Sequence, residues 1–148
     1  MPTEGMVHAL HRAHALLAAG GCLIDLRPTS ETARVEAGGV PLGTLDADSA
    51  DRRHAAAEAA LTRVLADGLF SVDGRRELWF LTHGDSIEEL REHVHASWRD
   101  SRVPDALVAR ANAARRANSA TALCIAEQLR MTRLLPRDTG RGVSASVV

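Results

Sequence analysis

The 148-residue chain has no lysine: all 18 of its basic residues are arginine, and tyrosine is missing as well. With no lysine amine, Schiff-base and lysine-nucleophile chemistry are excluded at every position. Cysteine is nearly absent. Cys22 and Cys124 each stand among apolar neighbours, without the paired spacing of a zinc site or a disulfide framework, and both read as buried thiols. Aromatic residues are limited to Phe70, Trp79, Phe80 and Trp98, all in apolar runs, which excludes a base-stacking platform for nucleic acid. The formal net charge of −1 removes any strong non-specific attraction to nucleic acid or anionic membrane. No apolar run has membrane-spanning length and no signal-peptide pattern is visible, so no membrane association and a cytoplasmic location are expected.

What is present is the patterning of an ordinary globular chain of single-domain length, for which one hydrophobic core is expected. Met6, Leu10, Ala13 and Leu17 form the apolar stripe of a helix from Thr3 to Ala18, closed by Gly20-Gly21. Cys22 to Leu26 reads as a buried central strand. The segments 32–37 and 40–45 flank Gly38-Gly39, a hairpin signal. Asp48 or Ser49 can cap a helix presenting Ala57, Leu61, Val64 and Leu65, which Gly68 ends. A second hairpin is expected at Asp73-Gly74, with Leu78-Trp79-Phe80-Leu81 as a central arm. Asp85 and Glu88 suggest a capping box for a helix carrying Ile87, Leu90, Val94 and Trp98. A further helix is expected from Asp105 to about Arg116. Residues 121–135 fit strand and helix periodicity alike. Beyond Pro136 the composition offers nothing to bury, so residues 1–136 are expected to form the domain and 137–148 a disordered tail.

The stretch Leu10 to Pro28, LHRAHALLAAGGCLIDLRP, resembles the helix, Gly-Gly turn and fifth strand of class I S-adenosylmethionine-dependent methyltransferases, with Ala18-Ala19 where that family has Lys-Pro. The resemblance implies an α/β fold (an α+β mixed sheet), a truncated methyltransferase-like sheet of about five to six strands flanked by helices, with residues 121–135 as its last strand. It also implies that the cofactor half, which precedes the matched helix in that family, is missing, since Met1 lies just before it. Gly20-Gly21 closes a helix and opens a strand, the reverse of a nucleotide-binding loop, so no cofactor is expected. A sheet shortened in this way has an exposed edge, which predicts a homodimer packed sheet to sheet or face to face.

Three constellations carry possible chemistry. Asp25 and Arg27 are two residues apart and so share one side of a strand near its C-terminal end, as a structural ion pair or as an anion-holding Arg with Asp as base. His83, at a strand-to-helix junction, is the general-base candidate, or else a backbone-bonded loop histidine. Glu4, His8 and His11 share one helix face and form a weak metal candidate against the alternative of a solvated face. Arg110, Arg115, Arg116, Arg130 and Arg133 make the C-terminal third basic, and read as a solvated face rather than a nucleic-acid surface.

These readings leave three functions. The first is a non-methylating ligand-binding or interaction module, acting as a homodimer or as a subunit with a protein partner. The second is a small-molecule enzyme, such as a cyclase, isomerase or hydrolase, using Asp25, Arg27 and His83. The third is one half of a split methyltransferase.

Overall fold

A computed structural model describes residues 3–47, 50–98 and 101–137. Thr3–Leu16 forms α1, followed by β1 (Leu23–Pro28), β2 (Arg34–Ala37), β3 (Val40–Thr44) and the short β4 (Asp46–Ala47). Next come α2 (Ala50–Ala66), β5 (Phe70–Gly84), α3 (Ile87–Ser97), β6 (Ser101–Arg102), α4 (Asp105–Ala117) and β7 (Leu123–Pro136). The fold is α+β, with a main sheet of five strands flanked by helices and a two-stranded sheet of β4 and β6. The residues expected to cap α2, Asp48 and Ser49, and the expected tail from 138 onward lie outside the described residues.

β7 organises the main sheet, because β1, β2 and β5 all hydrogen-bond to it. The ambiguity over residues 121–135 is resolved as strand. In an antiparallel ladder Leu123 and Ile125 stand opposite Ala37 and Val35, so the apolar residues of the two strands fall on one face. β2 turns into β3 through Gly38 and Gly39, whose φ values of 57° and 80° are both left-handed, as a type I′ hairpin requires.

The second expected hairpin does not form. β5 runs unbroken through Asp73-Gly74, and Gly74 has no positive φ. Cross-strand ion pairs replace the turn: Asp73 meets Arg133 at 3.0 Å and Glu77 meets Arg130 at 2.9 Å. The partners descend in β7 as they ascend in β5, so the two strands are antiparallel. Nor is the arm Leu78–Leu81 central, because β5 pairs only with β7 among the described residues.

The chain divides into two units. One contains α1, the start of β1, most of α2, the first half of β5 and the end of β7. Its core joins Val7, Ala60, Leu61, Val64, Leu69, Phe70 and Leu134, with Met6, Leu10 and Leu17 of the expected stripe packed around them. The other contains the rest of β1, β2 to β4, the second half of β5, α3, β6, α4 and the first part of β7. There Ile87, Leu90 and Val94 of α3 and Leu107 and Ala111 of α4 pack on Val35, Leu123 and Ile125. The single core expected from chain length is thus two buried clusters. The capping box of α3 also sits one residue later than expected. Ser86 accepts from the Glu89 N–H and Glu89 reaches back to the Asp85 N–H, while Glu88 accepts instead from Asn112 on α4.

Candidate functional site

β1 places Leu23, Asp25 and Arg27 on one side, half-buried, and Ile24, Leu26 and Pro28 on the other, exposed. Asp25 and Arg27 therefore share a face as their spacing requires, and both are engaged by interactions within the chain. His83 is exposed near the end of β5, where it lines a cleft of 290 Å³ with Asp85, Glu89, Arg115, Ala122 and Leu123. Asp25 and Arg27 are not among the residues lining that cleft.

Two of the cleft's charged side chains are occupied by the backbone. Arg115 donates to the carbonyls of Thr121, at 2.9 Å, and Asp85, at 3.2 Å, while the Glu89 carboxylate takes the Asp85 N–H at 2.7 Å. Together they fasten the β5–α3 corner to the end of α4. The His83 ring makes no hydrogen bond or ion pair with the described residues.

The first helix gives a similar result. Glu4 forms a 3.0 Å ion pair with Arg63 of α2, and among the described residues no group of three or more His, Cys, Asp or Glu side chains is placed to hold a metal ion. His14 instead packs edge-on against Phe70, with ring centroids 5.1 Å apart. In the basic C-terminal third, Arg110 donates to the Leu42 carbonyl, Arg130 binds Glu77, and Arg133 lies between Asp73 and Cys22. The Cys22 contact and Asp73 hold the Arg133 guanidinium above its ordinary range. Four of the five arginines, Arg115 included, are thus engaged within the chain.

The most unusual surface is one whose exposure the periodicity did not indicate. From Val72 to Leu81 every residue of β5 is exposed, including Leu78, Trp79 (39%), Phe80 (52%) and Leu81. These four consecutive apolar residues alternate between both faces of the strand. Ile24 and Leu26 of β1 are exposed too.

One member of the run is anchored. The Arg34 guanidinium stacks 4.0 Å over the Trp79 ring while its Nε donates to buried Glu36 at 2.7 Å. Arg34 stands opposite Ala126 in the β2–β7 ladder. The stack fixes Trp79 while leaving its other surface open. On the same face burial, reinforced by the Glu36 charge, raises the Cys124 thiol above its ordinary range, so it is an inert buried group.

A sequence signal for this surface existed. Arg75-Arg76-Glu77 carries the charges that usually protect an exposed strand, and Leu78–Leu81 carries none. Compared with protein-family models, with curated proteins and with solved structures, the chain gave no match.

Proposed function

We propose that the chain is a non-methylating protein-interaction module that binds an extended polypeptide strand along the free edge of β5. The observation supporting this is the run Leu78-Trp79-Phe80-Leu81, solvent-exposed on a strand with a single hydrogen-bonded neighbour among the described residues. Such an edge offers unpaired N–H and C=O groups to any passing chain, and proteins normally guard it with charge, proline or a covering element. Edge addition uses main-chain hydrogen bonds for affinity and alternating side chains for selectivity. β5 supplies both, with Trp79 pre-positioned by Arg34 so that less side-chain freedom is lost on docking.

Amide hydrogen exchange along β5 tests the reading. In a free edge every second N–H of residues 78–81 exchanges rapidly while those bonded to β7 are protected, and an added strand slows the fast set. If a monomer already protects all of them, the edge is closed and the reading fails.

The cleft beside His83 supports a second reading, a small-molecule site. Titration of His83 by NMR with and without candidate carboxylates and phosphates tests it. A ring shift that His83→Ala removes, and that leaves the fold unchanged, would favour this second reading over the first.

A further inference from the structure

Resting on the reading of β5 as a docking edge, we infer that the strand it receives is β5 of a second copy, added antiparallel about a two-fold axis at Phe80. Antiparallel pairing of identical strands is self-complementary by symmetry: whatever residue i meets, its mate meets in return. Every register centred on β5 is therefore available in principle, and charge selects among them.

An axis at Arg75 or Arg76 sets a guanidinium against its own mate, and these neighbours in sequence repel in either register. An axis at Phe80 pairs residues 76 to 84 with their mates, setting Glu77 opposite His83, Leu78 opposite Thr82 and Trp79 opposite Leu81, and brings Arg75 beside Asp85, the residue that follows the end of β5. Each unlike pair occurs twice in the dimer. Within its own chain Arg75 has no ion pair among the described residues, and neither has the Asp85 carboxylate. The apolar residues meet at the centre, Phe80 against Phe80, and the charged ones at the rim, as in stable interfaces generally.

The available area fits. At their observed exposures Leu78, Trp79, Phe80 and Leu81 leave about 350 Å² of surface open. An ordinary stable interface buries about 800 Å² per partner, a little over half of it apolar. The β5 run thus supplies most of the apolar share of one dimer interface, and the flanking polar residues can supply the remainder.

Light scattering on the full chain is the first measurement. A mass twice the 15.8 kDa of one chain is expected, falling to one copy in Phe80→Arg with an unchanged far-ultraviolet circular dichroism spectrum. Should Phe80→Arg fail to fold, the charge pair gives an independent test. Arg75→Glu is expected to weaken the dimer about tenfold, and adding Asp85→Arg to restore it. Spin labels at His83→Cys and Val72→Cys, in a Cys22→Ser background, report the register. By strand rise the two labels at 83 lie about 20 Å apart across the axis and those at 72 about 50 Å apart.

A dimer that persists in Phe80→Arg, or a shorter distance at 72 than at 83, overturns the inference. A single-copy wild type with a rapidly exchanging edge that binds an apolar dye also overturns it, while leaving the docking reading intact. A single-copy wild type whose edge amides are all protected removes both.

Discussion

β5 and β7 are the two longest strands, 15 and 14 residues, and they pair with each other, yet their surroundings are opposite. β5 is exposed at ten consecutive positions, from Val72 to Leu81, whereas β7 is exposed only at Arg133. Apolar content does not explain the difference, for each strand carries a dense apolar stretch. Position does. β7 is bonded to three strands and supplies residues to both buried clusters, so its side chains are covered whichever way they point. Among the described residues β5 pairs with one strand, and its middle is exposed although Arg34 stacks on Trp79 and two ion pairs reach β7. A Leu, Trp or Phe acquires its role from the number of partners its strand has, which a one-dimensional pattern does not record.

The largest test of this contrast compares Ile125→Ala on β7 with Phe80→Ala on β5. Ile125 is 1% exposed in the cluster beneath α3 and α4, so truncation leaves a cavity and is expected to destabilise the chain by about 3 to 4 kcal/mol in urea unfolding. Phe80 is larger, yet its removal is expected to change the stability of one copy by less than about 1 kcal/mol and to act on association instead. If Phe80→Ala destabilises the dilute, single-copy protein as much as Ile125→Ala, β5 is not the open edge described here.

Arg34 links the two environments, since its guanidinium serves buried Glu36 on one side and exposed Trp79 on the other. Arg34→Ala strands the Glu36 carboxylate in a buried setting, with an expected loss of about 2 to 3 kcal/mol. Arg34→Ala/Glu36→Ala should recover part of that loss, because no charge is then left unpaired. The double variant should still release Trp79, seen as faster depolarisation of its fluorescence.

Much of the local structure was legible in the sequence. Gly38-Gly39 supplied the left-handed φ values of a tight hairpin, and the apolar spacing of α3 identified a helix whose Ile87, Leu90 and Val94 are buried as expected. Asp73-Gly74 misled because its signal is local, while the ladder and ion pairs to β7 that hold β5 straight come from residues about 60 positions away. The central placement of Leu78–Leu81 failed for the same reason. His83 was correctly assigned to a strand-to-helix junction, but the cleft it lines is completed by Arg115, Ala122 and Leu123, on elements its own neighbourhood does not foretell. Asp25 and Arg27 share a face because period two is a property of the strand itself.

Thr132 offers a gain rather than a loss. It is 0% exposed on β7, and its hydroxyl has no hydrogen-bond partner among the described residues. Thr132→Val keeps the shape and removes an unsatisfied polar group, so stability should rise by about 1 kcal/mol in chemical denaturation. An equivalent change on the open strand, Thr82→Val, should leave the unfolding midpoint almost unmoved, because the half-buried Thr82 keeps access to water.

The smallest expected effect depends on pH. Glu127 sits half-buried on β7, and burial pushes its carboxyl above the ordinary carboxylate range. The folded chain therefore holds this proton more firmly than the unfolded chain does, so the group's contribution to stability is fully present below the ordinary carboxylate range and is lost as pH rises through the raised value. Glu127→Gln carries no such charge and should lose less stability between pH 4 and pH 7 than the wild type. At pH 7 the variant should be equal to or slightly above the wild type, within the ~0.5 kcal/mol usual for a substitution away from a core. Urea midpoints for the wild type and the variant at both pH values decide the matter. A steeper loss with rising pH in Glu127→Gln than in the wild type would mean that its carboxylate is stabilised in the folded chain, and that this position of β7 is as open to water as the middle of β5.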